Sequence, residues 1–447
     1  MPSRVTTVFA CQSCGSASPK WLGRCPECGE WNSYVEEIRS AKSPAAEEAV
    51  AAPIAGEAQA GETRLETGMP GLDRVLGGGI VAGSVVLIGG EPGIGKSTFL
   101  LQVARAVAAR GGEVLYATAE ESAAQVRLRG ERLRIREGGL LLMAETDVGR
   151  IVAGTERRAP ALLIVDSIQA VRDPALTSAA GTVSQVRECA ADLLRYAKSR
   201  GVPVVLIGHV TKDGSLAGPK SLEHLVDTVV TLEGDRTSLR RMLRATKNRF
   251  GPVDELALYD MTGEGLAEIA NPSAALLAER RRGLPGSAVT AAREGSRCLL
   301  VEIQALVGPS SAGSPRRVAI GVDGGRLALL LAVLEGAGLS LSSREVFVSC
   351  AGGLETAEPA SDLAVVAALV SSARGRAIPG DVACFGEIGL LGEVRRVPAA
   401  GSRLKEAAAM GFTTVYLPAG DAGEPSRFPD MSVRPVDRVA DFLTMIV

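Results

Sequence analysis

No other stretch restricts the fold of this chain as tightly as Gly89-Gly90-Glu91-Pro92-Gly93-Ile94-Gly95-Lys96-Ser97-Thr98, in which Gly90 to Ser97 carry the spacing G-x-x-x-x-G-K-[ST]. A short apolar strand, Val85 to Ile88, leads into it, and a stretch rich in Ala, Leu and Val, Thr98 to Arg110, leads out with helical character. The glycines therefore fall at a strand-to-helix turn, where successive backbone N–H groups converge and favour an anion. Glycines let the main chain wrap the β-phosphate of a nucleoside triphosphate, Lys96 brings a flexible point charge to the β and γ oxygens, and Ser97 sets a hydroxyl on Mg²⁺. Gly90, Glu91, Pro92, Gly93, Ile94, Gly95, Lys96, Ser97 and Thr98 are the expected cradle for Mg-ATP.

A chain of 447 residues is too long for one core and implies about three domains. Its 46% hydrophobic content and 52 glycines suit α/β structure with many tight turns. The longest apolar runs, around Leu327 to Leu334 and Leu363 to Val370, fall short of the roughly 20 residues of a membrane span. The N-terminus, Met1-Pro2-Ser3-Arg4-Val5, has no basic region followed by an apolar core, so a cytoplasmic location is expected. A net charge of −2 neither reveals nor excludes a polyanionic partner, and any nucleic-acid surface must be a local patch. Aromatic residues are 3% of the chain; contacts to a nucleic-acid strand are expected mostly on phosphate rather than on many stacked bases.

Four of the eight cysteines form two pairs, Cys11-x2-Cys14 and Cys25-x2-Cys28, with ten residues between them. Each pair can offer two corners of a tetrahedron, and Gly15 and Gly29 allow the chain to turn directly after it. The pattern is that of a structural zinc ribbon over residues 1–35, all four positions taken by thiolates; disulfides are the alternative, disfavoured in a reducing compartment. Cys189, Cys298, Cys350 and Cys384 are scattered and read as small core residues. Residues 36–64, rich in Ala, Glu, Ser and Pro, read as a flexible linker. From 65 to 270 apolar strands alternate with helices, which argues a parallel sheet, and after Val226 antiparallel strands extend it. A second globular unit is expected over 271–447.

Leu162 to Val165 is an apolar strand ending in Asp166, placed to hold Mg²⁺ opposite the P-loop hydroxyl, with a helix-capping role as the alternative. The strand Val114 to Thr118 leads into Ala119-Glu120-Glu121; Glu120 is preferred to Glu121 as the base that aligns the attacking water. His209 follows the strand Val204 to Ile207 at a position where it can sense the γ-phosphate. Thr211 to Lys220 is a glycine-rich loop whose Lys212 and Lys220 could order around a ligand, or simply be solvated. The region from Arg236 to Arg249 is strongly basic, as a ligand surface or as a solvated strand face.

Within it, Lys247-Asn248-Arg249-Phe250-Gly251 resembles the KNRFG motif of the bacterial RadA (Sms) family of recombination and repair ATPases. The four-cysteine motif, the GEPGIGKST loop, the Glu120-Glu121-Ser122 strand exit and the LIVDS strand end follow in the order of that family over nearly the whole chain. The resemblance implies an α/β fold made of a RecA-like ATPase core, the zinc ribbon and a Lon-protease-like C-terminal α+β domain. It further implies hexameric rings that bind single-stranded DNA, promote branch migration in recombination and break repair, and work with recombinase or other repair proteins. In related RecA-type enzymes basic residues at this motif reach the ATP of a neighbouring subunit, so Lys247 and Arg249 would act in trans, while Lys212 and Lys220 would touch DNA phosphates. Ala119 departs from the pattern, because similar sequences often carry Gly there.

The Lon-like region lacks the serine–lysine dyad that a Lon protease needs. Glu358-Pro359-Ala360-Ser361-Asp362-Leu363 puts Ala360 near the nucleophile, and Arg403 falls near the lysine, where a guanidinium cannot serve as a base. A proteolytically inert scaffold is expected. The rival reading is an ATP-driven protease or regulatory assembly, and a circadian-type signalling ATPase would leave the ribbon unexplained.

Overall fold

The computed structural model describes residues 5–40, 63–136, 138–208, 221–234, 239–253, 255–295, 297–310, 315–353, 356, 358–423 and 428–446. The chain divides into two compact units, Met1–Glu268 and Ile269–Val447.

The first unit opens with the ribbon, in which β1 (Val5–Cys11) pairs antiparallel with both β2 (Ala17–Ser18) and β3 (Tyr34–Ser40). Residues 36–40, expected to begin the linker, are instead part of β3: Glu36 pairs with Phe9 and Ser40 with Val5. Their charged alternation hid a strand that needs only one partner.

A small hairpin, β4 (Arg64–Leu65) with β5 (Ile80–Val81), brackets helix α1 (Pro70–Val75). The ATPase sheet then unfolds as β6 (Val85–Gly89), α2 (Lys96–Ala109), β7 (Val114–Thr118), α3 (Ala123–Arg132), β8 (Leu140–Ala144), α4 (Val148–Arg158), β9 (Leu162–Asp166), α5 (Val183–Arg200) and β10 (Val204–Ile207). Helix α6 (Ser221–Leu225) and strands β11 (Thr228–Glu233), β12 (Arg240–Asn248), β13 (Leu256–Thr262) and β14 (Gly265–Glu268) complete it. Among the described residues the sheet has nine strands in the order β14-β13-β12-β11-β6-β10-β9-β7-β8, parallel from β11 to β8 and antiparallel beyond.

Sequence pattern explains this division. Val85–Gly89, Val114–Thr118 and Leu162–Asp166 are buried along their whole length, because helices cover both faces. Val86, Ile88, Tyr116 and Ile164 meet Phe99, Leu100 and Val103 of α2, whereas Val85, Leu87, Leu115 and Leu163 meet Ile151 of α4 and Val186 and Leu193 of α5. In β12 burial alternates instead, with Arg241, Leu243 and Ala245 inward, the period of a one-sided strand.

The second unit contains α7 (Pro272–Leu277), β15 (Ser287–Glu294), β16 (Arg297–Pro309), β17 (Arg317–Ile320), α8 (Gly324–Gly336), β18 (Arg344–Cys350) and α9 (Asp362–Arg374). It continues through β19 (Val382–Cys384), β20 (Glu387–Ile388), β21 (Val394–Arg395), α10 (Ala400–Ala409), β22 (Thr414–Pro418), β23 (Ser432–Val436) and α11 (Val439–Met445). A four-stranded sheet, β15-β16-β18-β17, is accompanied by the parallel sheet β19-β22-β23 and the β20–β21 hairpin. The apolar run Leu363 to Val370 is fully buried in α9, which accounts for its hydrophobicity without a bilayer, and no described helix is long and apolar enough to cross a membrane.

Arg403 is the largest fully buried side chain of this unit. Its guanidinium makes a bidentate pair with Glu358 (2.8 and 2.6 Å), donates to the carbonyls of Pro398 (3.1 Å) and Ala291, and lies 5.8 Å from the Phe385 ring centre. This charge ties α10 to β15 and to the segment before α9. Arg403→Ala should cost about 3–5 kcal/mol, since it strands Glu358 and two carbonyls. An Arg403→Met/Glu358→Leu double variant should recover much of that loss in a double-mutant cycle of urea unfolding; additive losses would show that the pair is not the linkage.

Candidate functional site

The P-loop crosses from β6 to α2 at the carboxyl ends of the parallel strands, the edge where open α/β sheets bind ligands. Two of its glycines are required by geometry. A Cβ on Gly90 would lie 2.5 Å from the Leu232 carbonyl oxygen, and Gly95 has φ of +115° with the Met261 methyl 2.7 Å from where a Cβ would be.

Lys96 is buried, and its Nζ donates to the carbonyls of Gly90 (2.7 Å) and Glu91 (3.0 Å). Burial pulls its pKa down to about 8, while the charges of Asp166 and Glu120 push it back up. Asp166 ends β9 at 5% exposure and accepts hydrogen bonds from the Tyr116 hydroxyl (2.5 Å) and from Ser97. Burial raises its pKa despite those bonds, and Tyr116 is raised well above the phenol range, chiefly by its own burial. An ion between Ser97 and Asp166 would meet one hydroxyl and one carboxylate, a donor set suited to a water-rich Mg²⁺.

Glu120 and Glu121 part company at the end of β7. Glu121 forms an ion pair with Arg129 of α3 (2.7 Å), and its main chain is clasped by the Thr118 hydroxyl (2.9 and 3.2 Å). Glu120 instead accepts from the Ser167 hydroxyl, beside Asp166, and contributes to the field at Lys96. Ala119 fits the turn without a left-handed backbone, its N–H donating to the Asp166 carbonyl (2.7 Å).

Lys247 and Arg249 lie elsewhere. Asn248 pairs with Thr228, so the motif sits at the amino end of β11, opposite the end where Thr231 pairs with Gly89. Three residue steps along β6, from Val86 to Gly89, separate the two ends, about 10 Å. Lys247 Nζ donates to the carbonyls of Glu223 (2.5 Å) and Val226 (2.8 Å), and burial lowers its pKa. Arg249 pairs with Asp227 (3.0 Å), whose second oxygen accepts the Val85 N–H (3.1 Å). His209, Lys212 and Lys220 fall outside the described residues.

Three contributors escaped the reading of the sequence. Tyr116 holds Asp166, Ser167 holds Glu120, and Arg241, only 7% exposed, donates from Nε to the Ile94 carbonyl (3.1 Å) and braces the P-loop. The two-residue alternation of β12 was the one available sign that Arg241 points inward.

In the ribbon the four ligand sulfurs lie within 4.8 Å of one another, with Cys11 and Cys28 3.7 Å apart and Cys14 and Cys25 3.5 Å apart. Four thiolates about 2.3 Å from one Zn²⁺ stand about 3.8 Å apart, so the set fits that ion. Gly15 and Gly29 adopt φ of +75° and +76°, the turns expected after each pair. Cys189, Cys298, Cys350 and Cys384 are all buried. In the second unit Ala360 and Ser361 are buried; among the described residues the Ser361 hydroxyl has no hydrogen-bond partner, and Arg403 is committed to Glu358.

The depressed Lys96 pKa has a measurable consequence. An incoming polyphosphate stabilises the ammonium and raises its pKa, so binding takes up protons above pH 8 and the affinity for ATP falls as pH rises through that value. Calorimetry at pH 8.5 in buffers of different ionisation enthalpy should record this uptake, and Lys96→Met should abolish it along with tight binding.

The family profile described as an AAA domain matches residues 57–215, the rubredoxin metal binding domain matches 9–36, and the Lon protease (S16) C-terminal proteolytic domain matches 342–447. The chain is 46% identical to the DNA repair protein RadA of Bacillus subtilis over 99% of its own length and 98% of that protein's. It is 47% identical to the DNA repair protein RadA of Pseudomonas aeruginosa over 94% of each. Among solved structures, a KaiC-like protein of Pyrococcus horikoshii is 21% identical and covers 46% of this chain and 99% of its own, with a TM-score of 0.39. The chain belongs to the RadA family of DNA repair proteins, and is an ATP hydrolase with a RecA-like core, an N-terminal zinc ribbon and a Lon-like C-terminal domain.

Proposed function

We propose that this protein is a DNA-dependent ATPase that binds single-stranded and branched DNA and promotes branch migration in recombination and break repair. The observation that carries the reading is the convergence of Lys96, Ser97, Asp166 and Glu120 at one sheet edge, in a chain alike end to end to DNA repair proteins. ATP sits on Gly90 to Thr98, with Mg²⁺ between Ser97 and Asp166. Glu120, which accepts from Ser167 beside Asp166 while Arg129 pairs with Glu121, orients the attacking water, and His209 senses the γ-phosphate.

The opposite placement of Lys247 and Arg249 supports their acting on a neighbouring subunit's nucleotide, within a hexameric ring. Lys212 and Lys220 contact DNA phosphates. The arrangement along the chain is a ribbon whose last strand runs to Ser40, a linker from there to residue 64, an ATPase over 65–270 and a Lon-like scaffold over 271–447, in a cytoplasmic protein that works with recombinase or other repair proteins. The commitment of Arg403 to Glu358 supports an inert scaffold rather than a protease.

Hydrolysis by the purified protein should rise on adding single-stranded DNA, with Lys96→Ala as the blank; a rate indifferent to DNA would overturn the reading. Glu120→Gln should lower kcat by about 10²–10⁴-fold while leaving ATP binding in place. Glu121→Gln should cost far less, and equal losses from the two variants would remove Glu120 from its role.

A further inference from the structure

Both tryptophans of the chain lie on the ribbon, and both are exposed, Trp21 at 51% and Trp31 at 67%. Neither ring is loose. The Trp21 indole N–H donates to the Tyr34 carbonyl (3.1 Å), and its ring lies against Gly23, where an added Cβ would stand 3.6 Å away. Trp31 bridges antiparallel to Arg24, whose guanidinium lies 5.8 Å from its ring centre while Arg24 Nε donates to the Gly29 carbonyl (3.0 Å). The Asn32 N–H donates to the Gly23 carbonyl (2.8 Å), so the two rings flank one short segment, Gly23–Arg24. Lys20, next to Trp21, is exposed, and among the described residues neither it nor Arg24 is paired with a carboxylate.

We propose that this patch is a stacking platform for single-stranded nucleic acid, with bases on the Trp21 and Trp31 faces and phosphates against Lys20 and Arg24. The proposal rests on the DNA-binding reading and gives it a place. A π-face accepts any base, and a pre-set guanidinium beside it adds a cation without fixing a sequence. Tryptophan and arginine also anchor protein interfaces, but such anchors sit in apolar surroundings. Here Val35 is the one other large hydrophobic exposed on the described ribbon, and the intervening surface is polar. The low aromatic content of the chain spoke against many stacked bases; two fixed rings on one small module suffice for a short platform.

Because no other tryptophan exists in the chain, its intrinsic emission reports on the ribbon alone. The full-length, zinc-loaded protein should be titrated with a labelled oligo(dT) strand while anisotropy and tryptophan emission are followed together. The emission should quench in step with the anisotropy. Trp21→Ala and Trp31→Ala should each weaken binding about fivefold or more at unchanged zinc content. Lys20→Ala/Arg24→Ala, which keeps both fluorophores, should shift the quench to higher DNA concentration.

A normal rise in anisotropy without quenching, and with tryptophan variants that bind like the parent, would overturn the platform and leave DNA binding to other surfaces. An emission change produced only by a recombinase, and never by the oligonucleotide, would overturn it in favour of a protein interface. Absence of any anisotropy change would defeat the DNA-binding reading itself.

Discussion

An ammonium and two carboxylates meet at one end of a buried parallel sheet, and the rest of the ATPase unit is arranged around that fact. Lys96 is held by two P-loop carbonyls and buried Asp166 by Tyr116 and Ser97, while Glu120, at the exposed rim, accepts from Ser167. The central strand must be apolar on both faces to bring the P-loop there, and the helices on either face supply that burial. A phosphate entering the cleft would replace carbonyl partners of Lys96 with full negative charge, in surroundings where desolvation strengthens the attraction.

What could be seen in the sequence was what is local. The P-loop, the cysteine pairs and the Asp166 strand end are short spacings whose chemistry fixes their geometry, and they reappear as turn, sulfur cluster and strand terminus. The choice between Glu120 and Glu121 depends on Arg129 and Ser167, eight and 47 residues away along the chain. The bonds of Tyr116 to Asp166 and of Arg241 to Ile94 join segments separated by 50 and 147 residues, which no short window contains. Residues 36–40 were missed for a different reason: a strand paired along one edge carries no apolar run to announce it.

The second unit keeps a protease-like frame with a different chemical interior. Where a dyad would need a serine next to a neutral amine, an arginine is buried in a bidentate pair, and the nearby Ser361 hydroxyl is enclosed with no partner among the described residues. The same guanidinium links helix, strand and loop through four hydrogen bonds. Its contribution is to packing and register, and an apolar pair of similar volume could satisfy the same geometry.

The central proposal is that one nucleotide site is made by two subunits, a reading supported by the P-loop and the Lys247–Arg249 motif lying at opposite ends of the sheet. Mixing Lys96→Ala protein with Arg249→Ala protein tests it most directly. Each variant alone should be nearly inactive, and the mixture should regain ATP hydrolysis at interfaces that join an intact P-loop to an intact Arg249. A mixture no more active than the sum of its parts, from variants that still associate, would contradict the shared site.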